Sequence, residues 1–148
     1  MKRIKRFVFL SIILFTTSIG SALAETTENV AQENISNFDW TPVINAIIQV
    51  ESNGDKNAKS GASVGAMQIT PVLVFECNRI LRRKKSKKRF KLSDRYSLAK
   101  SKEMFLLIQS VYNPLNNIEK AIRSWNGGNH YSVSRTQRYF NKVMSILK

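Results

Sequence analysis

Ile44, Ile47, Ile48 and Glu51 fall at i, i+3, i+4 and i+7, the spacing of one face of an α-helix. Thr41-Pro42 opens that helix with a hydroxyl cap and a proline suited to the first turn, and Asn53-Gly54 closes it. Only a helix buries this stripe on one side, and Glu51 continues the buried side rather than the solvent side. A carboxyl backed by aliphatic side chains resists ionisation, and the C-terminal end of a helix dipole disfavours negative charge further. Glu51 is therefore a candidate general acid, a role that requires a proton retained near neutral pH.

The same punctuation divides the rest of the chain. Residues 55–65 are rich in Gly, Ser and Asn and read as loop, with Gly54, Gly61 and Gly65 permitting tight turns and close backbone approach. Met67-Gln68-Ile69 reads as a short extended piece. Thr70-Pro71 repeats the cap-plus-proline signal and predicts a helix through Val72, Phe75, Cys77, Ile80 and Leu81. Ser93-Asp94 can cap a third helix with Leu98, Phe105, Ile108 and Tyr112 on one side, stopped by Asn113-Pro114. Ile118, Ala121, Ile122 and Trp125 mark a shorter helix that ends at Gly127-Gly128. Thr136 can cap a last one, with Tyr139, Phe140, Val143, Met144 and Leu147 inward. Nothing resembles a run of alternating strands, so the class is mostly α.

A chain of 148 residues suits one domain. Lys2, Arg3, Lys5 and Arg6, an apolar run over residues 7–15 and Ala22-Leu23-Ala24 read as an export signal cleaved after Ala24. Residues 25–37 are polar and read as a flexible leader, so the domain is expected over residues 38–148, beginning near Phe38 or Trp40. Loss of the signal removes four basic groups and takes the formal charge from +14 to +10. Such an excess calls for a polyanionic neighbour. Cys77 is the only cysteine, which excludes an internal disulfide and leaves stability to the apolar core. His130 is the only histidine, so no metal site and no cofactor is expected. No Ser/His/Asp arrangement and no phosphate-cradling glycine loop is recognisable.

Four motifs then occur in order: Glu51-Ser52, Gly65-Ala66-Met67-Gln68-Ile69, Ser124-Trp125-Asn126-Gly127-Gly128, and Tyr139 within Thr136-Gln137-Arg138-Tyr139-Phe140. In this order they resemble the catalytic domain of the soluble lytic transglycosylases, over roughly residues 40–148. The resemblance implies a lysozyme-like single domain, similar to goose-type lysozyme, with a short irregular or β segment around residues 61–69. It implies an exported enzyme that cuts the β-1,4 bond between N-acetylmuramic acid and N-acetylglucosamine and leaves a 1,6-anhydro end. Glu51 would be acid and then base. Ser52 would help fix the carboxyl, Gln68 would bond sugar N-acetyl groups, and Met67 and Ser60 would lie nearby. Asn126 matches the asparagine of the family's Ala-Tyr-Asn pattern. Trp125 replaces the tyrosine there, keeping an aromatic face for a sugar but not the hydroxyl. Tyr139 stands where the family places a tyrosine that reaches the acid.

Glycosidases commonly pair two carboxyls. Asp39, Asp55, Glu76, Asp94, Glu103 and Glu119 are available, yet none shares a motif with Glu51, which favours a single acid assisted by the substrate. Arg82, Arg83, Lys84, Lys85, Lys87, Lys88, Arg89 and Lys91 put eight cations in ten residues. This basic insertion reads as a solvated loop, or as a dock for an anionic wall polymer or membrane surface. With Phe90 its only aromatic, it makes a poor single-strand stacking platform, and no specific nucleic acid is expected. A monomer is expected. The alternatives at this level are a lysozyme-type hydrolase and a wall-binding module without turnover.

Overall fold

The computed structural model describes residues 38–147; the expected signal over residues 1–24 and leader over residues 25–37 lie outside them. Five α-helices and one 3-10 helix carry the chain: α1 (Thr41–Ser52), α2 (Pro71–Arg83), the 3-10 helix (Leu92–Tyr96), α3 (Leu98–Tyr112), α4 (Ile118–Gly127) and α5 (Val133–Leu147). Between α1 and α2, β1 (Lys59–Ser60) pairs antiparallel with β2 (Ser63–Val64), with Lys59 opposite Val64, and a further bridge joins Val64 to Ile69. The mostly helical domain with a small β segment near residues 61–69 is the arrangement expected of a lysozyme-like fold.

Burial of the α1 stripe organises the core. Val43, Ile44, Ala46 and Ile47 are buried and meet Met67, Ile69, Val74, Cys77, Ile80, Phe105, Ala121, Ile122 and Val143. Four aromatic rings bind the start of α1 to the middle of the domain. Phe38 contacts Trp40 at 4.6 Å between centroids, Trp40 meets Phe105 edge-on at 5.5 Å, and Phe105 meets Trp125 at 5.3 Å. α5 packs against both α1 and α4, while α2 packs against α3. Cys77 is buried, its thiol pushed up to about 12 by desolvation and, secondarily, by Glu76, so it behaves as a small core residue.

Helix ends follow local chemistry, with some differences from the sequence expectation. Thr70 caps α2 through Leu73 N–H at 3.3 Å, as expected. Thr41 does not cap α1: it lies inside the first turn, and its N–H is taken by the Asp39 carboxylate at 2.8 Å. Asp94 caps the 3-10 helix by accepting from Lys91 N–H, and α3 is capped instead by Ser97. α5 begins a turn earlier than Thr136 predicts, with Ser132 Oγ reaching Arg135 N–H at 3.5 Å. Thr136 is buried within that helix because its hydroxyl has a tertiary partner, Arg123. Val72 and Phe75 are exposed, since Val74 takes the inward position on α2; Leu98 and Ile118 are also exposed.

The basic run is not a free loop. Arg82 and Arg83 finish α2, and Phe90 is buried. Asn78 clamps the Phe90 backbone from both sides, donating to its carbonyl and accepting from its N–H, each at 2.8 Å. Lys88 pairs with Glu103, and most of the remaining cations face solvent.

The hairpin is held against the 3-10 helix at Gly65. Its φ is +79°, and a Cβ there would lie 2.0 Å from the Arg95 carbonyl oxygen. Arg95 returns the contact by donating to the carbonyls of Ala62 at 3.0 Å and Ile69 at 3.3 Å. Gly65→Ala is expected to destabilise the domain by about 2 kcal/mol or more, combining a left-handed backbone with a backbone clash. The thermal midpoint should fall by roughly 5–10 °C, read by circular dichroism. Gly54→Ala, at φ +85° with nothing within 4 Å of a Cβ, separates the backbone cost from the clash and should cost less.

Candidate active site

Glu51 sits in the last turn of α1, half-buried, where the helix dipole and the apolar surroundings both oppose its ionisation. Burial raises its pKa above the usual carboxylate value. A hydrogen bond from the Tyr139 hydroxyl to Glu51 Oε1, at 2.7 Å, acts in the opposite sense and is the smaller influence. Tyr139 itself is pushed upward, first by burial and then by the carboxyl beside it, so it stays a protonated donor. The bond joins residues 88 positions apart. It fixes one carboxyl oxygen, Oε1.

α5 must be accurately placed for that contact, and Arg123 places it. This guanidinium, only 3% exposed, donates to Glu119 on its own helix and to the Val133 carbonyl, Thr136 Oγ1 and Gln137 Oε1 on α5. It also stacks over the Phe140 ring at 4.3 Å. Gly127 lets the helices approach, since a Cβ there would meet Thr136 Cγ2 and Tyr131 Cβ at 2.8 Å.

A cleft of about 430 Å³ opens at Glu51. Val50 and Glu51 line it from α1, Asn126 from α4, and Arg135, Arg138, Tyr139 and Lys142 from α5. Of the residues singled out in the sequence, Glu51, Asn126 and Tyr139 thus come together. The cations of α5 were not anticipated. Their signal was present: residues 135, 138, 139 and 142 fall at i, i+3, i+4 and i+7, the same arithmetic that identified Glu51.

The other singled-out residues do not line this cleft. Ser52 Oγ donates to the Ala66 carbonyl at 2.9 Å, tying the end of α1 to the hairpin segment. Gln68 is half-buried in a left-handed turn, φ 48°, and its amide donates to the Gly65 carbonyl at 2.9 Å. Met67 is fully buried in the core, and Ser60 is exposed in the hairpin opposite Ser63. Trp125 is half-buried against Phe105.

Among the described residues, Glu51 is the one carboxyl on the cleft, and the others are engaged elsewhere. Asp39 caps Thr41 and Asp55 accepts from Asn57 N–H at 2.8 Å. Arg79 holds Glu76 below the usual carboxylate range, with Tyr112 assisting. Asp94 caps Lys91, Lys88 and Lys100 pair with Glu103, and Glu119 pairs with Arg123. No group of three or more His, Cys, Asp or Glu among the described residues could hold a metal ion.

The family model described as the Transglycosylase SLT domain matches residues 29–144. Its start falls within the stretch expected to be a leader. Comparison with curated proteins and comparison with solved structures each return no match.

The raised pKa of Glu51 has a consequence for stability with a definite sign. The folded chain holds this proton more tightly than the unfolded chain, so stability falls as pH rises above the unfolded carboxylate value. Glu51→Gln removes that loss. Its gain in unfolding free energy over the native chain should be absent below about pH 4 and grow towards neutral pH, measured by denaturant unfolding at both pH values. Tyr139→Phe removes the donor that favours the carboxylate and should move the Glu51 pKa further up by NMR titration.

Proposed function

The chain belongs to the Transglycosylase SLT family, whose members are lytic transglycosylases acting on peptidoglycan, and from that premise we propose that it is an exported enzyme using Glu51 as its single acid and base on the N-acetylmuramic acid–N-acetylglucosamine β-1,4 bond. The observation that carries this is the cleft itself. Glu51 is the only carboxyl lining it among the described residues, with its pKa raised and one oxygen held by Tyr139.

The chemistry then follows from one proton. Protonated Glu51 gives its proton to the glycosidic oxygen as the bond from that oxygen to the muramyl anomeric carbon breaks. The resulting carboxylate is the species that burial disfavours and Tyr139 stabilises. It takes the proton of the muramyl 6-hydroxyl as that oxygen bonds to the anomeric carbon. The product is a 1,6-anhydro sugar, Glu51 is protonated again, and no water is consumed. An inverting or retaining hydrolase commonly pairs a second carboxyl with the first; the engagement of the other described carboxyls favours the anhydro route.

Asn126 lies on the cleft wall and is proposed to contact substrate directly. Gln68, Ser60 and Trp125 are proposed to line the path of the glycan beyond the cleft, with Ser52 and Met67 supporting Glu51 and the hairpin. Export rests on the signal-like N-terminus, and the site of action would be the periplasm or cell envelope. The exposed cations of residues 82–91 are proposed to dock the enzyme on anionic wall polymer.

Digestion of purified sacculi followed by mass analysis tests the reaction. Native protein should release fragments one water lighter than the hydrolysis products, and Glu51→Gln should lose at least about 10³ of the rate, the scale of an essential general acid. Fragments carrying the added water would identify a hydrolase, and an active Glu51→Gln would refute the assignment. Docking by the basic run predicts that sacculus binding weakens steeply with salt. Replacing Lys84, Lys85 and Lys87 with Gln should reduce that salt sensitivity, whereas unchanged binding would exclude the run.

A further inference from the structure

One wall of the cleft carries more positive charge than cleavage of a neutral sugar bond requires. Arg135, Arg138 and Lys142 line it together, on the same face of α5 as Tyr139. They span eight residues, about 10 Å of helix. All three are exposed, and none is in an ion pair among the described residues, whose pairs involve Arg79, Lys88, Lys100 and Arg123. The remaining described carboxylates are held elsewhere by their own partners, so among the described residues no carboxylate other than Glu51 lines this wall. Glu51 is itself in no ion pair there and is held towards its neutral form by burial. The wall is therefore built for an anion brought by the ligand.

We propose that Arg135, Arg138 and Lys142 form a carboxylate-binding subsite beside Glu51, which takes the acidic side arm of a muramyl residue and selects such strands over neutral glycans. The proposal rests on the function proposed above. Muramic acid differs from glucosamine by an ether-linked lactyl group ending in a carboxyl, borne by the sugar whose bond is cut. Two arginines and a lysine suit that ligand, because guanidinium offers paired N–H donors to a carboxylate and lysine adds a mobile point charge. The carboxylate has two sources. On strands stripped of peptide it is the lactyl group itself, and on substituted strands it belongs to the stem peptide.

Binding, rather than turnover, decides the matter, so it can be read whether or not the strand is cut. The full chain carrying Glu51→Gln is titrated by fluorescence anisotropy with labelled strands of four kinds: peptide-free glycan strands, peptide-bearing strands, and each of these with its carboxyls converted to amides. Neutral N-acetylglucosamine oligomers serve as a fifth probe. The expected result is that amidation weakens binding about tenfold, to the level of the neutral oligomers. Adding Arg135→Gln, Arg138→Gln and Lys142→Gln should weaken binding of the charged strands by a similar factor and leave the amidated ones unchanged. The strand class that responds identifies the source of the carboxylate. A second variant, Arg138→Glu, leaves the three positions with a single net positive charge and should shrink the preference for the charged strands, and circular dichroism checks that both fold. Equal binding of charged and amidated strands, or equal weakening of both by the substitutions, would overturn the subsite. Failure of the native protein to cleave sacculi would instead overturn the proposed reaction, and the binding comparison would still decide the subsite.

Discussion

Arg123 is a cation with almost no access to water, and the surrounding structure is arranged to keep it so. One carboxylate on α4 and four groups on α5 surround it: a carbonyl, a hydroxyl, a carboxamide and an aromatic face. A guanidinium withdrawn from water costs several kcal/mol unless its donors are met. That requirement makes the register of α5 discrete. A shift of one residue turns a helix by about 100° and would remove Thr136, Gln137 and Phe140 from Arg123 together. Tyr139 lies among these residues, so the constraint that satisfies Arg123 also sets the phenol against Glu51. The contact between Tyr139 and Glu51 thereby depends on a polar cluster that lies off the cleft.

Much of this was legible in the chain before its structure, for reasons that can be stated residue by residue. Proline and glycine act locally, so the start of α2 at Pro71, the stop of α1 at Asn53-Gly54 and the end of α3 before Pro114 follow from nearest neighbours alone. Glu51 was legible because its burial follows from the periodicity of its own helix. The misplaced features depend on distant residues. Thr136 has the chemistry of a cap, but its hydroxyl is drawn inward by Arg123, thirteen positions away. Val72 and Phe75 look like core on α2, yet Val74 occupies the inward position and leaves them exposed. The cations of α5 were passed over for a different reason. Charged residues on a helix usually mean a solvated face, and only the opening of a cleft beneath them separates the two cases.

Two opposed influences meet on Glu51, and their balance is what the proposed chemistry needs. Burial alone would favour the acid but make the carboxylate, formed as the bond breaks, too costly to reach. A strong ion pair would do the reverse and discharge the acid before it could act. Tyr139 is a neutral donor whose hydrogen bond strengthens as charge develops on its partner, so it favours the carboxylate while burial, the larger influence, still leaves the Glu51 pKa raised. The upward shift of the phenol keeps that donor protonated over the whole working range.

Tyr139 also marks a boundary on α5. On one side of it Thr136, Phe140, Val143 and Met144 turn towards the core, and on the other Arg135, Arg138 and Lys142 turn towards the cleft. A residue on the seam between a buried and a wet face has its ring in the core and its hydroxyl at the edge of water, which is where a half-buried carboxyl can meet it. The same seam puts the cations on the cleft that Glu51 lines, with no ion pair to it among the described residues. On the proposed reading they take the anion of the reacting sugar, while burial, the larger influence on Glu51, holds its pKa up. One helix therefore supplies the orienting donor and the charged wall, and the opening acid of α1 acquires both through a single register.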